Sequence, residues 1–88
     1  MSKAVLLIED DAALRASVAQ TLELEDITVT QAASYIEAVD HISANFDGVI
    51  LSDIRMPGKD GFDVLSTAQT RDADLPVILL TGEGDVPT

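Results

Sequence analysis

Short apolar runs alternate with stretches of helical period along this chain, and the alternation predicts strand, helix, strand, helix from one end to the other. Val5-Leu6-Leu7-Ile8 and Val49-Ile50-Leu51 are continuous apolar segments bounded by turn residues. That is the pattern of strands buried on both faces of a parallel sheet. Ile27-Thr28-Val29-Thr30 is short and β-branched throughout, which predicts a strand at an edge. Val77-Ile78-Leu79-Leu80, reached through Leu75-Pro76, predicts a fourth strand. Asp11 is placed to cap a helix over about residues 12 to 25, with Leu14, Val18 and Leu22 as its apolar stripe and Arg15, Gln20 and Glu23 turned elsewhere. Ser34-Tyr35-Ile36-Glu37 has the form of a capping box. The helix behind it is expected to turn Ile36, Val39 and Ile42 inward and to end near Asn45. Asp47-Gly48 turns into the third strand, and Gly58 to Gly61 opens a third helix with Phe62, Leu65 and Ala68 as its expected inner face.

Strands and helices alternating through short connections imply right-handed crossovers and a doubly wound α/β sheet. Ligands in such sheets bind at the carboxyl ends of the strands, where the winding reverses. The first strand runs straight into Glu9-Asp10-Asp11, and the third into Ser52-Asp53. If these two strands lie side by side, Glu9, Asp10 and Asp53 converge. Carboxylates that close repel one another, so the cluster needs a divalent cation or a shared proton. An acid pocket of this kind points towards phosphate chemistry.

Composition narrows the picture further. With 88 residues there is room for one core, and no cysteine is present to form a disulfide or a thiolate metal site. Five apolar residues precede Glu9, too few for a signal-peptide core, and no run approaches a membrane span. These features fit one small cytosolic domain. The formal charge is −11, with only Lys3, Arg15, Arg55, Lys59 and Arg71 basic and scattered, which argues against direct nucleic-acid binding by this segment.

Ile8-Glu9-Asp10-Asp11, then Ser52-Asp53-Ile54-Arg55-Met56-Pro57-Gly58-Lys59-Asp60-Gly61, then Leu79-Leu80-Thr81-Gly82 together resemble a two-component response-regulator receiver domain. The resemblance runs over residues 1–88 and carries the expectation of a flavodoxin-like sheet. Within the family, Ser-Asp-Ile-Arg-Met-Pro with Thr-Gly-x-Gly-Asp-Val-Pro looks like the receivers of sigma-54-dependent activators, especially C4-dicarboxylate transport regulators, with nitrogen-fixation response regulators also close.

Carried over residue by residue, the resemblance makes Asp53 the phosphoacceptor for a phosphohistidine on a sensor histidine kinase. It implies a Mg²⁺ site in which Asp10 and Asp53 are direct ligands with the backbone carbonyl of Arg55, while Glu9 holds metal-bound water. It makes Thr81 the switch hydroxyl, and leaves Asp11 past the strand end as a helix cap. His41 and Tyr35 read as structural, and Gly82-x-Gly84 is too little for a dinucleotide loop. The domain implied is a signalling switch for a downstream, transcriptional output rather than an enzyme. An aspartyl-nucleophile phosphatase would want an acid two residues after the nucleophile, where Arg55 stands.

A complete receiver has a fifth strand carrying a lysine. Neither Lys3 nor Lys59 is placed to serve, so the sequence reads as a receiver with four of five strands, incomplete at its C-terminus. The alternative is a truncated association module that cannot switch. Either way the fourth strand is expected to form an edge and to promote self-association.

Overall fold

Leu6, Leu7 and Ile8 follow one another in sequence and are all buried, so the first strand is covered on both faces, as its uninterrupted apolar run requires. The computed structural model describes residues 3–43, 46–56 and 58–80. The elements are β1 (Lys3–Ile8), α1 (Ala12–Glu23), β2 (Ile27–Ala32), α2 (Tyr35–Val39), β3 (Val49–Asp53), α3 (Gly61–Arg71) and β4 (Val77–Leu80). Every strand pairing is parallel, and the order across the sheet is β2-β1-β3-β4. From β1 the chain steps out to β2, crosses back to β3 and continues to β4. The winding therefore reverses between β1 and β3, the two strands that end in acids. A doubly wound sheet with β2 at an edge is what the alternation of periods predicted; its flavodoxin-like form, with four strands among the described residues, is what the resemblance implied.

Leu6, Ile8 and Ile50 face α2 and α3 and pack with Ala38, Ile42, Val64, Ala68, Met56 and Leu75. Leu7 alternates to the other side, where α1 lies against β1 and β2. The helices meet the sheet through smaller residues than their sequences suggest. Leu14, Ile36 and Phe62 are 44%, 77% and 58% exposed, while Ala19, Ala38 and Val64 are buried in their places. In α2 the inward residues are Tyr35, Ala38 and, past the helix, Ile42; in α3 they are Gly61, Val64 and Ala68. Both sets keep helical spacing but sit one residue earlier in the first turns than the expected stripes. Alanine and glycine let a helix axis approach the sheet closely, so close packing decided the phase rather than the size of the apolar side chain.

Helix ends follow their local chemistry. The Asp11 side chain accepts from the amides of Ala13 and Leu14 at 3.0 and 3.1 Å, capping α1 as expected. At α2, Ser34 Oγ accepts from the Glu37 amide at 3.2 Å. The Glu37 carboxylate reaches one residue further back than a regular capping box, to the Ala33 amide at 2.9 Å. α2 stops at Val39, well before Asn45, which lies outside the described residues. From the last turn of α3, Arg71 Nη1 donates to the carbonyls of Val39 and Ile42, each at 2.7 Å. A guanidinium there satisfies carbonyls that the end of α2 leaves open and opposes the negative end of the helix dipole.

α1 ends at Glu23, and the turn into β2 places Asp26 at φ 63°, in the left-handed region. A left-handed backbone costs an L-residue roughly 1–2 kcal/mol, against roughly 0.5–1 kcal/mol of unfolded-state entropy that glycine adds. Asp26→Gly should therefore raise the unfolding free energy by about 0.5 kcal/mol, a melting temperature a few degrees higher, whereas Asp26→Val should lower it. Thermal denaturation of the two variants beside the parent checks the sign of each.

Candidate functional site

Register brings the acids together. Ile8 pairs with Ser52 across β1 and β3, so the residues that follow each, Glu9 and Asp53, emerge side by side. The Glu9 amide continues the ladder to β2, donating to the Ala32 carbonyl at 3.0 Å. Asp10 comes next, at the mouth of the β1–α1 turn. One carboxylate oxygen from each of Glu9, Asp10 and Asp53 lies within 4.8 Å of the others. Glu9 and Asp53 are each 5% exposed, while Asp10 faces solvent. Convergence of the two strand ends, inferred from their apolar runs, is what the structure places.

Among the described residues the cluster meets few hydrogen-bond donors. Asp53 Oδ1 is buried without a partner, and a buried carboxylate oxygen left so is costly. Glu9 Oε2 accepts from the Asp11 amide at 3.0 Å. Burial pushes the Glu9 carboxyl above its usual range; hydrogen bonding with Asp10 and the negative charges of Asp53 and Asp10 push the same way, against the Asp11 amide. Three hard oxygen donors, one of them buried and unpartnered, fit a small oxygen-loving dication such as Mg²⁺ and do not fit a soft metal.

The segment after β3 is tied at both ends. The Ile54 amide donates to the Leu80 carbonyl of β4, and the Gly61 amide donates back to the Ile54 carbonyl, each at 2.9 Å. A Cβ at Gly61 would stand 2.6 Å from the Asp53 carbonyl oxygen and 2.8 Å from Ile54 Cα, so only glycine lets α3 start this close to the acid strand. Asp60 accepts from the amides of Phe62 and Asp63 at 2.9 and 3.2 Å, while Asp63 Oδ2 accepts from the Asp60 amide at 2.8 Å. That reciprocal pair fixes the start of α3. Arg55 lies between these ties, two residues after the end of β3. Thr81 and Pro57 lie outside the described residues.

Sequence reasoning missed several contributors. Arg15, expected to face away, is half-buried, and its Nη1 donates to the Glu9 carbonyl at 2.7 Å. Its position four residues after the cap residue was the available signal. The Asp60–Asp63 box has a signal in the sequence, an acid three residues after an acid at the expected start of the third helix. Tyr35 is structural, as expected: its hydroxyl shares a hydrogen bond with Thr67 Oγ1 at 2.7 Å, and Lys59 Nζ stands 5.8 Å from its ring centre. His41 is exposed just beyond α2.

Comparison with known proteins agrees with this geometry. Residues 5–88 match the family model described as the response regulator receiver domain, and the chain belongs to that family. It is 51% identical over 83 residues to the C4-dicarboxylate transport transcriptional regulatory protein DctD of Rhizobium meliloti, covering 94% of this chain and 18% of the relative. The transcriptional regulatory protein FixJ of Azorhizobium caulinodans is 41% identical, with 94% and 39% covered. The chain thus spans well under half the length of these curated relatives. The likeness to C4-dicarboxylate transport regulators read from residues 52–57 and 81–87 is borne out. Among solved structures, the non-phosphorylated HemR receiver domain of Leptospira biflexa superposes with a TM-score of 0.87 at 28% identity, covering 97% of this chain and 68% of that one. The response regulator TrrA of Thermotoga maritima, solved in complex with Mg²⁺-BeF, gives 0.82 at 30% identity, with 91% and 70% covered.

The raised Glu9 carboxyl sets a pH dependence. A group whose folded value is raised contributes stability present below its unfolded value and lost as pH rises through the folded one. At neutral pH the ionised Glu9 therefore weighs against the metal-free fold. Without divalent cations, lowering the pH from neutral into the acid range should relieve that cost, and Glu9→Gln should stabilise the chain at neutral pH and flatten the dependence. Melting curves in a chelator across this range test it; a glutamine variant less stable than the parent at neutral pH would contradict the assignment.

Proposed function

We propose that this chain is the phosphoacceptor receiver of a two-component response regulator, with Asp53 as the acceptor. The carrying observation is the buried, unpartnered Asp53 Oδ1 set beside the Glu9 and Asp10 carboxylates, at the reversal point of the winding. In the proposed step an Asp53 carboxylate oxygen attacks the phosphorus of a phosphohistidine on a sensor histidine kinase. An O–P bond forms, the N–P bond breaks, and its electron pair returns to the imidazole. Asp53 thereby becomes an acyl phosphate. Asp10, Asp53 and the Arg55 carbonyl would hold Mg²⁺ directly, with Glu9 reaching it through water. When bound, the ion supplies positive charge against the phosphoryl oxygens. This chain's residues position the acceptor: Gly61 and the Asp60–Asp63 box hold the segment after Asp53, and Asp11 holds the segment after Asp10.

Thr81, in this reading, is the hydroxyl that turns towards the phosphoryl group, and the output is transcriptional, as the names of DctD and FixJ state for those proteins. The role is that of a signalling switch in the cytoplasm rather than of an enzyme. Among the described residues no helix is long and apolar enough to cross a membrane. A charge of −11 leaves DNA contact to other parts of such a regulator. The experiment is incubation with acetyl phosphate and Mg²⁺ followed by intact mass measurement. One phosphoryl group should be gained and slowly lost by hydrolysis. Asp53→Asn should abolish the gain, and Asp11→Asn, which removes a helix cap, should keep most of it. Equal loss in both variants would mean the acid pair is misassigned.

A second feature supports self-association of this chain. β4 is at the edge of the sheet among the described residues, with Ile78 and Leu80 at 52% and 36% exposure. An edge strand with exposed apolar side chains is a template for pairing with another copy, opposed here by the like charge of both partners. Sedimentation should reveal dimers or larger species that grow with added salt as the repulsion is screened. Ile78→Lys should return the chain to monomer; a chain monomeric at all salt concentrations would refute this arm.

A further inference from the structure

Glu9 is held by each of its polar groups. Its amide goes to the Ala32 carbonyl, its carboxylate takes the Asp11 amide, and its carbonyl takes Arg15 Nη1 at 2.7 Å. Arg15 is half-buried on α1, and its own amide donates to the Asp11 carbonyl at 2.8 Å. A peptide unit is planar, so fixing the direction of the Glu9 carbonyl also fixes the Asp10 amide on the same plane. The direction in which Asp10 leaves β1 follows from that plane. We propose that Arg15 is a positioning residue for the acid pocket: by holding the Glu9–Asp10 peptide it keeps the exposed Asp10 carboxylate turned towards Glu9 and Asp53. The inference rests on reading the pocket as a Mg²⁺ site.

Two effects of this guanidinium oppose each other, and their sizes decide the sign. As a cation near the pocket it repels a dication, an effect of a few-fold at most for solvent-screened charges. As an outer support for a ligand it matters more, since loss of such partners typically weakens metal binding about 10–100-fold. Positioning should therefore win. Were charge alone at work, removing Arg15 would tighten Mg²⁺ binding.

The test is a Mg²⁺ titration of the 88-residue chain, followed by amide NMR shifts of Asp10, Asp11 and Asp53. Arg15→Met keeps the apolar stem and removes donor and charge; it should bind Mg²⁺ about tenfold more weakly. Arg15→Lys restores a single donor and should stay within about threefold of the parent. Arg71→Met cuts the other arginine–carbonyl clamp, on Val39 and Ile42, and should leave Mg²⁺ affinity unchanged while lowering the melting temperature. Unchanged or tighter binding in Arg15→Met overturns the proposal. So does equal weakening in Arg15→Lys, or in Arg71→Met, which would report general loosening of the fold. A parent chain with no saturable response overturns the Mg²⁺ reading and this inference with it. A saturable parent whose Arg15→Met variant matches it overturns this inference alone. Should Arg15→Met fail to give a dispersed spectrum, Arg15→Leu, which likewise has no donor, takes its place with the same expectation of weakening.

Discussion

Mutual repulsion of Glu9, Asp10 and Asp53 is the constraint around which the rest of the structure is arranged. Within a few ångströms, in partly buried surroundings, like charges cost far more than in water. The chain does not escape that cost by moving the acids apart, because the β1–β3 register pairs Ile8 with Ser52 and so brings out Glu9 and Asp53, the next residue of each strand end, side by side. Burial of Leu6, Leu7, Ile8 and Ile50 holds that register, since a slip of one residue would turn each strand's side chains to the wrong face. The core thus keeps the acids in place against their own repulsion. Relief comes from backbone groups: the Asp11 amide on Glu9, and the caps that keep the adjoining helix starts rigid.

Much of this was legible in the sequence, for reasons particular to certain residues. Runs such as Val5 to Ile8 and Val49 to Leu51 have no polar interruption, which only a strand covered on both sides tolerates in so short a segment. The acids at their ends then locate the site. Helix phase was less legible. The stripes through Ile36 and Phe62 followed the largest apolar side chains, whereas the sheet accepted Ala38 and Val64 with Ala68. Periodicity gives the spacing of a helix face but not which of two neighbouring faces meets the sheet when small residues occupy one of them. The end of α2 at Val39 was hidden for a different reason. It is held by Arg71, 32 residues away in sequence, and nothing near Val39 announces it.

The site's supports were the least legible part. Arg15 and Arg71 both use their guanidinium groups on backbone carbonyls, of Glu9 in one case and of Val39 and Ile42 in the other. In a chain with 16 acids and five basic residues, the simple expectation is that arginines pair with carboxylates. Used on carbonyls, these two guanidinium groups do not reach Asp53 Oδ1, which stays without a hydrogen-bond partner among the described residues. A guanidinium ion-paired with Asp53 would have satisfied Oδ1 and filled the place that a dication can take. Placing Arg15 behind the peptide of Glu9 instead gives the turn its rigidity while leaving the acidic face open. The start of α3 is fixed in a similar way, by Asp60 and Asp63 capping each other's amides. Anionic walls held by backbone hydrogen bonds are what a site needs if a metal ion and a phosphoryl group are to enter and leave it. The crowding that raises the Glu9 carboxyl and the oxygen donors that a dication would take belong to the same three carboxylates.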